Sequence, residues 1–299
     1  MTGFRLMGAM AALAAGLLLG PGAGAQTPPQ HAAQAVQAGP ESGAAAPAER
    51  ISLQPRAIEL LQAMCERLAK AKSMSFTADV SYEYPSKLGP PVVYAMRYEA
   101  VMKRPDKLRV IMPGDGPVSE FYYDGKQMMA YAPAENLVAG ESAPPTLDAA
   151  LKQAFERADL YFPFTDLIVD DPYAALTRDA KLAFVTGPSG VLDGVKTTGV
   201  VLADDDVFLQ IWIGTGDMLP RRIRAIYSGD PLQLRHDMAL SNWRINPSAP
   251  AGLFNSKKAR QANPIAFARP NMPPVPDAGT PKTINAQDSG APGAPTSTQ

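Results

Sequence analysis

The hydrophobic period of this chain changes at Ser73, and the change limits its fold more than any other feature. Before it, Ile58, Leu61, Cys65 and Leu68, flanked by Leu60 and Met64, recur at three- and four-residue spacing between Gln54 and Lys72. That spacing predicts a helix with one apolar face, opened by Pro55 in its first turn, with Cys65 as a small buried hydrophobe on that face. After Ser73, Met74, Phe76, Ala78, Val80, Tyr82 and Tyr84 alternate with Ser75, Thr77, Asp79, Ser81 and Glu83. A strand with that pattern carries its large apolar groups on one side. The next run repeats the design, with Tyr94, Met96, Tyr98, Ala100 and Met102 opposed by Arg97, Glu99 and Lys103. Paired antiparallel, the two runs place both rows on the same face of one sheet.

Strand-like runs continue at 107–112, 118–123, 126–132 and 136–140, with Asp124-Gly125 as a tight hairpin turn. Residues 142–178 then break the pattern. Pro144-Pro145-Thr146 precedes a helical stretch, Leu147–Leu160, and shorter pieces surround Pro163 and Asp171-Pro172. Alternation resumes at 181–187, 195–203, 207–214, 220–228 and 232–245. Six strands, a helical insertion and five strands make eleven in all. Twisted sheets beyond roughly ten strands curl or split, so the expected fold is mainly β with α: an incomplete, strongly curved antiparallel β-barrel covered by helices.

The folded part is shorter than the 299 residues. Met1–Ala25 has Arg5, an apolar stretch Leu6–Leu19 and an Ala23-Gly24-Ala25 end, the pattern of a cleavable secretory signal and too short for a membrane span. Residues 26–50 are an Ala/Pro-rich linker with too little apolar surface to offset chain entropy, and 263–299 are a Pro-rich tail of the same kind. The expected domain is 51–262. The signal predicts an exported protein, periplasmic if the cell is Gram-negative, with no transmembrane anchor in the mature chain.

Composition removes several classes of function. A formal charge of −1 and a pI near 6.2 offer no footprint for nucleic acid. One cysteine and two histidines, His31 in the linker and His236 in a strand-like run, supply no zinc-spaced cluster, and a lone strand histidine reads as a surface residue. Asp204-Asp205-Asp206 reads as a solvated turn and Asp170-Asp171-Pro172 as a helix-start cap. No nucleophile sits beside a base, and no motif calls for a cofactor or metal.

Met102-Lys103-Arg104-Pro105-Asp106-Lys107-Leu108-Arg109, then Phe121-Tyr122-Tyr123-Asp124-Gly125-Lys126 and Tyr131-Ala132-Pro133, resemble the corresponding strands of the periplasmic lipoprotein carrier family of LolA. Phe208-Leu209-Gln210-Ile211-Trp212-Ile213, Leu219-Pro220-Arg221-Arg222 and Leu240-Ser241-Asn242-Trp243 resemble an uncharacterised family of predicted periplasmic proteins grouped with that fold. The matches run from about Gln54 to Ala262, and their order carries more than any one motif. The resemblance implies an eleven-stranded half-barrel, closed by helices, with an apolar cavity that receives acyl chains. It also implies that Arg104, at the Arg-Pro bend, holds the helical lid shut by donating to the end of a lid helix.

Methionine and aromatic side chains suit a wall that adapts to variable apolar ligands. The expected cavity residues are Phe76, Val80, Tyr82, Tyr94, Met96, Tyr98, Met102, Phe121 and Met128. The leading expectation is a periplasmic, non-enzymatic binding protein that holds a lipid, an acyl chain or a lipoprotein, as a carrier. The alternative is an envelope-stress regulator that senses lipoproteins and binds a membrane signalling partner. A carboxylate-dependent hydrolase would need acids brought together by the fold.

Overall fold

A computed structural model of the chain describes residues 52–87, 89–114, 117–192 and 194–269. The signal, the linker, Ile51 and the tail beyond Arg269 lie outside the described residues. Helix α1, Pro55–Ala69, buries Leu60, Leu61, Met64, Cys65 and Leu68 on the face that the spacing predicts. Its start is tied to the sheet by backbone and side chain: Gln54 N donates to Ala183 O at 2.8 Å, and Gln54 Oε1 accepts from Val185 N at 3.2 Å.

The strands are β1 (Ser73–Tyr84), β2 (Val92–Lys103), β3 (Lys107–Met112), β4 (Ser119–Tyr123), β5 (Gln127–Ala132), β6 (Leu137–Ser142), β7 (Leu182–Leu192), β8 (Val195–Ala203), β9 (Val207–Gly214), β10 (Pro220–Tyr227), β11 (Arg235–Ile245) and β12 (Asn263–Ile265). They form one sheet ordered β12-β6-β5-β4-β3-β2-β1-β11-β10-β9-β8-β7, open at its ends. Two meanders meet at the antiparallel pair β1–β11. Register places Val80 opposite Met96 on one side and Met238 on the other, so the apolar row crosses the seam between the meanders without interruption. At the Asp124-Gly125 turn a side chain has no room: a Cβ on Gly125, whose φ is +88°, would fall 2.2 Å from Asp106 Oδ2.

Twelve strands replace the eleven expected, and the correction falls at the C-terminus. β12 pairs in parallel with β6, and Phe267 beyond it is buried in the main core. Ordered chain therefore reaches seven residues past the expected boundary at Ala262. Asn263-Pro264-Ile265 has no alternation to signal a strand; its conformation comes from the free hydrogen-bonding edge of β6. β7 also runs past Gly187 to Leu192, slipping register twice. β11 starts three residues later than expected, because the Asp230 carboxylate accepts from Leu232 N and Leu234 N and holds that stretch as a turn.

The segment between β6 and β7 is a covering layer. It contains α2 (Leu147–Ala158), α3 (Thr165–Ile168) and α4 (Pro172–Thr177). Thr146 Oγ1 caps α2 by accepting from Ala149 N at 3.4 Å, and Asp171 Oδ1 caps α4 by accepting from Ala174 N at 2.9 Å. Because β6 lies near one edge of the sheet and β7 forms the other, this connection has to travel the full width of the sheet. It does so over the apolar face, together with α1. A smaller cluster on the opposite face, Ile111, Tyr122, Met129, Tyr131 and Val138, is covered by Ala259 of α5 (Lys257–Gln261) and by Ala262.

Candidate functional site

The covered face of the sheet is lined by cross-strand rows: Met102 faces Met74 and Leu108, and Phe121 faces Val110 and Ala130. Into it the turn between α2 and α3 inserts Phe162 and Phe164, 2% and 0% exposed. Phe164 meets Phe76 at 5.1 Å and Tyr98 at 5.7 Å between ring centroids, both edge-on, and Phe162 meets Phe121 at 5.3 Å. Edge-to-face pairs of this kind add roughly 0.5–1.5 kcal/mol each beyond area burial. These two rings belong to the connection between β6 and β7, not to the sheet.

An arginine bonds that segment to the β2–β3 turn. Arg104, at the end of the β2–β3 hairpin, donates from Nη1 to Asp170 Oδ1 at 2.7 Å and from Nη2 to Val169 O at 2.8 Å, where Val169 is the C-cap of α3. Nearby, Leu147 N donates to Pro105 O at 2.8 Å and Asp148 Oδ1 accepts from Asp170 N at 3.1 Å. Burial, and then the Asp170 charge, push the Asp148 carboxyl above its ordinary range.

Beside the aromatic plug the face is not filled. A cleft of about 90 Å³ remains, walled by Val80, Met96, Ile223, Ala225 and Met238 and edged by Tyr82, Tyr98, Tyr161, Tyr227 and His236. Pockets for drug-sized molecules measure roughly 300–1,000 Å³, so this cleft is well below that size. A wider open depression of about 730 Å³ borders Asp79, Arg97, Arg222 and Asp237. Its charged groups are bonded to one another: Arg97 to Asp79 at 2.6 Å, and Arg222 and Arg224 both to Asp237.

Of the expected cavity residues, Val80, Tyr82, Met96 and Tyr98 line the cleft, while Phe76 and Phe121 touch the plug. Met102 and Met128 are wholly buried in the core. Tyr94 lies on the expected face but is 46% exposed, because the β1–β2 hairpin extends past the insertion; there it stacks on Tyr82 at 5.7 Å. His236, expected on a strand surface, is half-buried, stacked on Tyr82 and edge-on to Tyr227 at 5.3 Å. Desolvation holds its imidazole below the ordinary value despite Asp230, Glu83 and Asp237 nearby. Tyr161, Ile223, Ala225, Tyr227 and Met238 were missed. The alternation of Ile223, Ala225 and Tyr227 was visible, but not that β10 and β11 would join β1.

The acid runs behave as the sequence suggests. Asp204 Oδ1 accepts from Asp206 N and Val207 N across a turn, and Asp205 pairs with Lys181. Among the described residues no three His, Cys, Asp or Glu side chains gather as metal ligands, and no helix is long and apolar enough to cross a membrane.

An open, curved, antiparallel half-barrel whose apolar face is covered by a helical insertion defines the class. The chain belongs to the family described as "Predicted periplasmic protein (DUF2092)", whose model matches residues 57–268. No curated protein matches its sequence. Among solved structures, LprF from Mycobacterium bovis is 16% identical, with 67% of this chain and 98% of that chain covered and a TM-score of 0.42. A LolA superfamily protein from Nitrosomonas europaea is 10% identical, with 66% and 97% covered and a TM-score of 0.33. The MucA/MucB complex from Pseudomonas aeruginosa gives 12% identity, 68% and 62% coverage and a TM-score of 0.34.

Proposed function

We propose that the protein is a periplasmic, non-enzymatic binding protein that accepts an acyl chain, free or attached to a lipid or lipoprotein, between the sheet and the helical insertion. The observation that supports this reading is the placement of Phe162 and Phe164: two large rings, carried by the covering segment, pack on the apolar face against Phe76, Tyr98 and Phe121 of the sheet. An acyl chain that displaces them exchanges one apolar filling for another, so opening costs little net burial. Arg104 acts as the latch. Its two hydrogen bonds end on α3 and Asp170, so release of that contact frees the segment that carries both rings.

Native mass spectrometry of the protein purified from its host envelope will show a lipid-sized adduct, and the neutral fluorophore N-phenyl-1-naphthylamine will bind with increased emission. A protein with no adduct that also leaves the fluorophore dark rules the reading out.

A further inference from the structure

The cleft beside the plug has an apolar floor and a polar rim. Val80, Met96 and Met238 form the floor, and Tyr82, Tyr98, Tyr161, Tyr227 and His236 stand around it. The floor continues the same face of β1 and β2 that the plug covers, since Val80 pairs with Met96 one step along from Ala78 and Tyr98. An acyl chain in the place of Phe162 and Phe164 therefore ends among the tyrosines, so the rim is where its polar head sits.

The lining of that cleft includes no lysine or arginine. Asp237 borders the cleft but alternates with His236 and Met238 along β11, so its carboxylate lies on the opposite face of the sheet, where it bonds both Arg222 and Arg224. Arg235, next along β11, is bonded to Glu83. The charge of Asp166 on α3 acts on both Tyr161 and Tyr227, raising both phenols along with burial. Burial holds the His236 imidazole below its ordinary value despite Glu83, Asp230 and Asp237 nearby. Phenol hydroxyls and a neutral imidazole both donate and accept hydrogen bonds. A desolvated anion would find no lysine or arginine in the cleft wall, which is unfavourable.

We propose that this rim holds the head of the amphiphile and selects an uncharged, hydrogen-bonding head, of the ester- and hydroxyl-bearing glyceryl kind, over a carboxylate or phosphate. The assignment rests on the acyl-binding reading above and specifies the ligand class. Monoolein and oleate share one chain and differ in head charge, so they separate the two questions. Each is titrated, below its micelle concentration at about neutral pH, against the protein loaded with N-phenyl-1-naphthylamine. Monoolein is expected to displace the fluorophore at about tenfold lower concentration than oleate. Asp166→Asn, an exposed change on α3, is expected to strengthen oleate and narrow that ratio, and Tyr161→Phe with Tyr227→Phe to narrow it by weakening monoolein. Oleate binding as well as or better than monoolein overturns the head-group assignment and leaves acyl binding standing. A ratio unmoved by all three substitutions also overturns it. Failure of the fluorophore and both lipids to bind overturns the acyl-binding reading and this assignment with it.

Discussion

Arg104 Nη1 lies 2.7 Å from Asp170 Oδ1, joining the end of the β2–β3 hairpin to the segment that follows α3. The arginine is largely buried, with 15% of its side chain exposed, whereas Asp170 is 58% exposed. Hydrogen bonds to charged groups contribute about 1.5–3 kcal/mol when shielded, and exposure of the acid reduces this one. Arg104→Leu is therefore expected to lower unfolding stability by about 1 kcal/mol. The more informative readout is hydrogen exchange, which should accelerate over residues 162–170 and leave β1 and β2 protected. Unchanged exchange in that segment would remove the latch role.

Phe164 is the deeper of the two plug rings. Phe164→Ala should destabilise the empty protein by about 3–5 kcal/mol, the usual cost of deleting a buried aromatic ring. The same cavity should bind N-phenyl-1-naphthylamine more tightly than the unaltered protein and recover part of the lost stability on saturation. Calorimetry with and without the fluorophore checks both; a variant that loses stability and binds no better would show that Phe164 is ordinary core.

Cys65 is 1% exposed on α1, and burial, with a smaller contribution from Asp171, pushes its thiol up to about 12. Only the thiolate reacts with disulfide reagents. At pH values near neutrality the folded protein should label far more slowly than the unfolded chain. Because α3 and α4 pack on α1, loosening their segment should raise the labelling rate in Arg104→Leu. Fast labelling of the native protein would contradict the burial.

His236 has a folded-state pKa below its ordinary 6.5. Below that value the unfolded chain takes up a proton that the folded protein resists, so stability falls as pH falls. The contribution is fully present above 6.5, declines beneath it, and is gone once pH has dropped through the lower folded value. Denaturant midpoints measured across this window should slope in the unaltered protein and flatten in His236→Gln. Equal slopes in the two would assign the dependence to other groups.

Ending the chain after Ala262 removes β12 and Phe267. Loss of a buried aromatic and of the parallel pairing to β6 should cost roughly 3 kcal/mol, visible as a lower melting temperature. An unshifted transition would show that these residues add nothing to the domain.

Much of this was legible from local pattern. The alternation from Met74 to Tyr84 and from Tyr94 to Met102 gave the right strands and the right faces, because side-chain direction in a strand has a period of two wherever the strand sits. Thr146 and Asp171 cap helices as their positions suggest, since a cap needs only a backbone N–H three residues on. Asn263–Ile265 had no such local cause, and neither did His236, whose environment is made by Tyr82 and Tyr227 from other strands.

By itself the sequence determined which residues alternate, where the helices begin, and that a sheet of this many strands has to curve. Only the tertiary structure decided that β1 would meet β11, that the insertion would cross the whole apolar face, and that Phe162, Phe164 and the tyrosine rim would converge on one cleft. The physical reason is range. Period and capping are settled within a few residues, whereas the pairing of Val80 with Met238 joins positions far apart in the chain, and its cost in loop closure is met only when the complete core is buried.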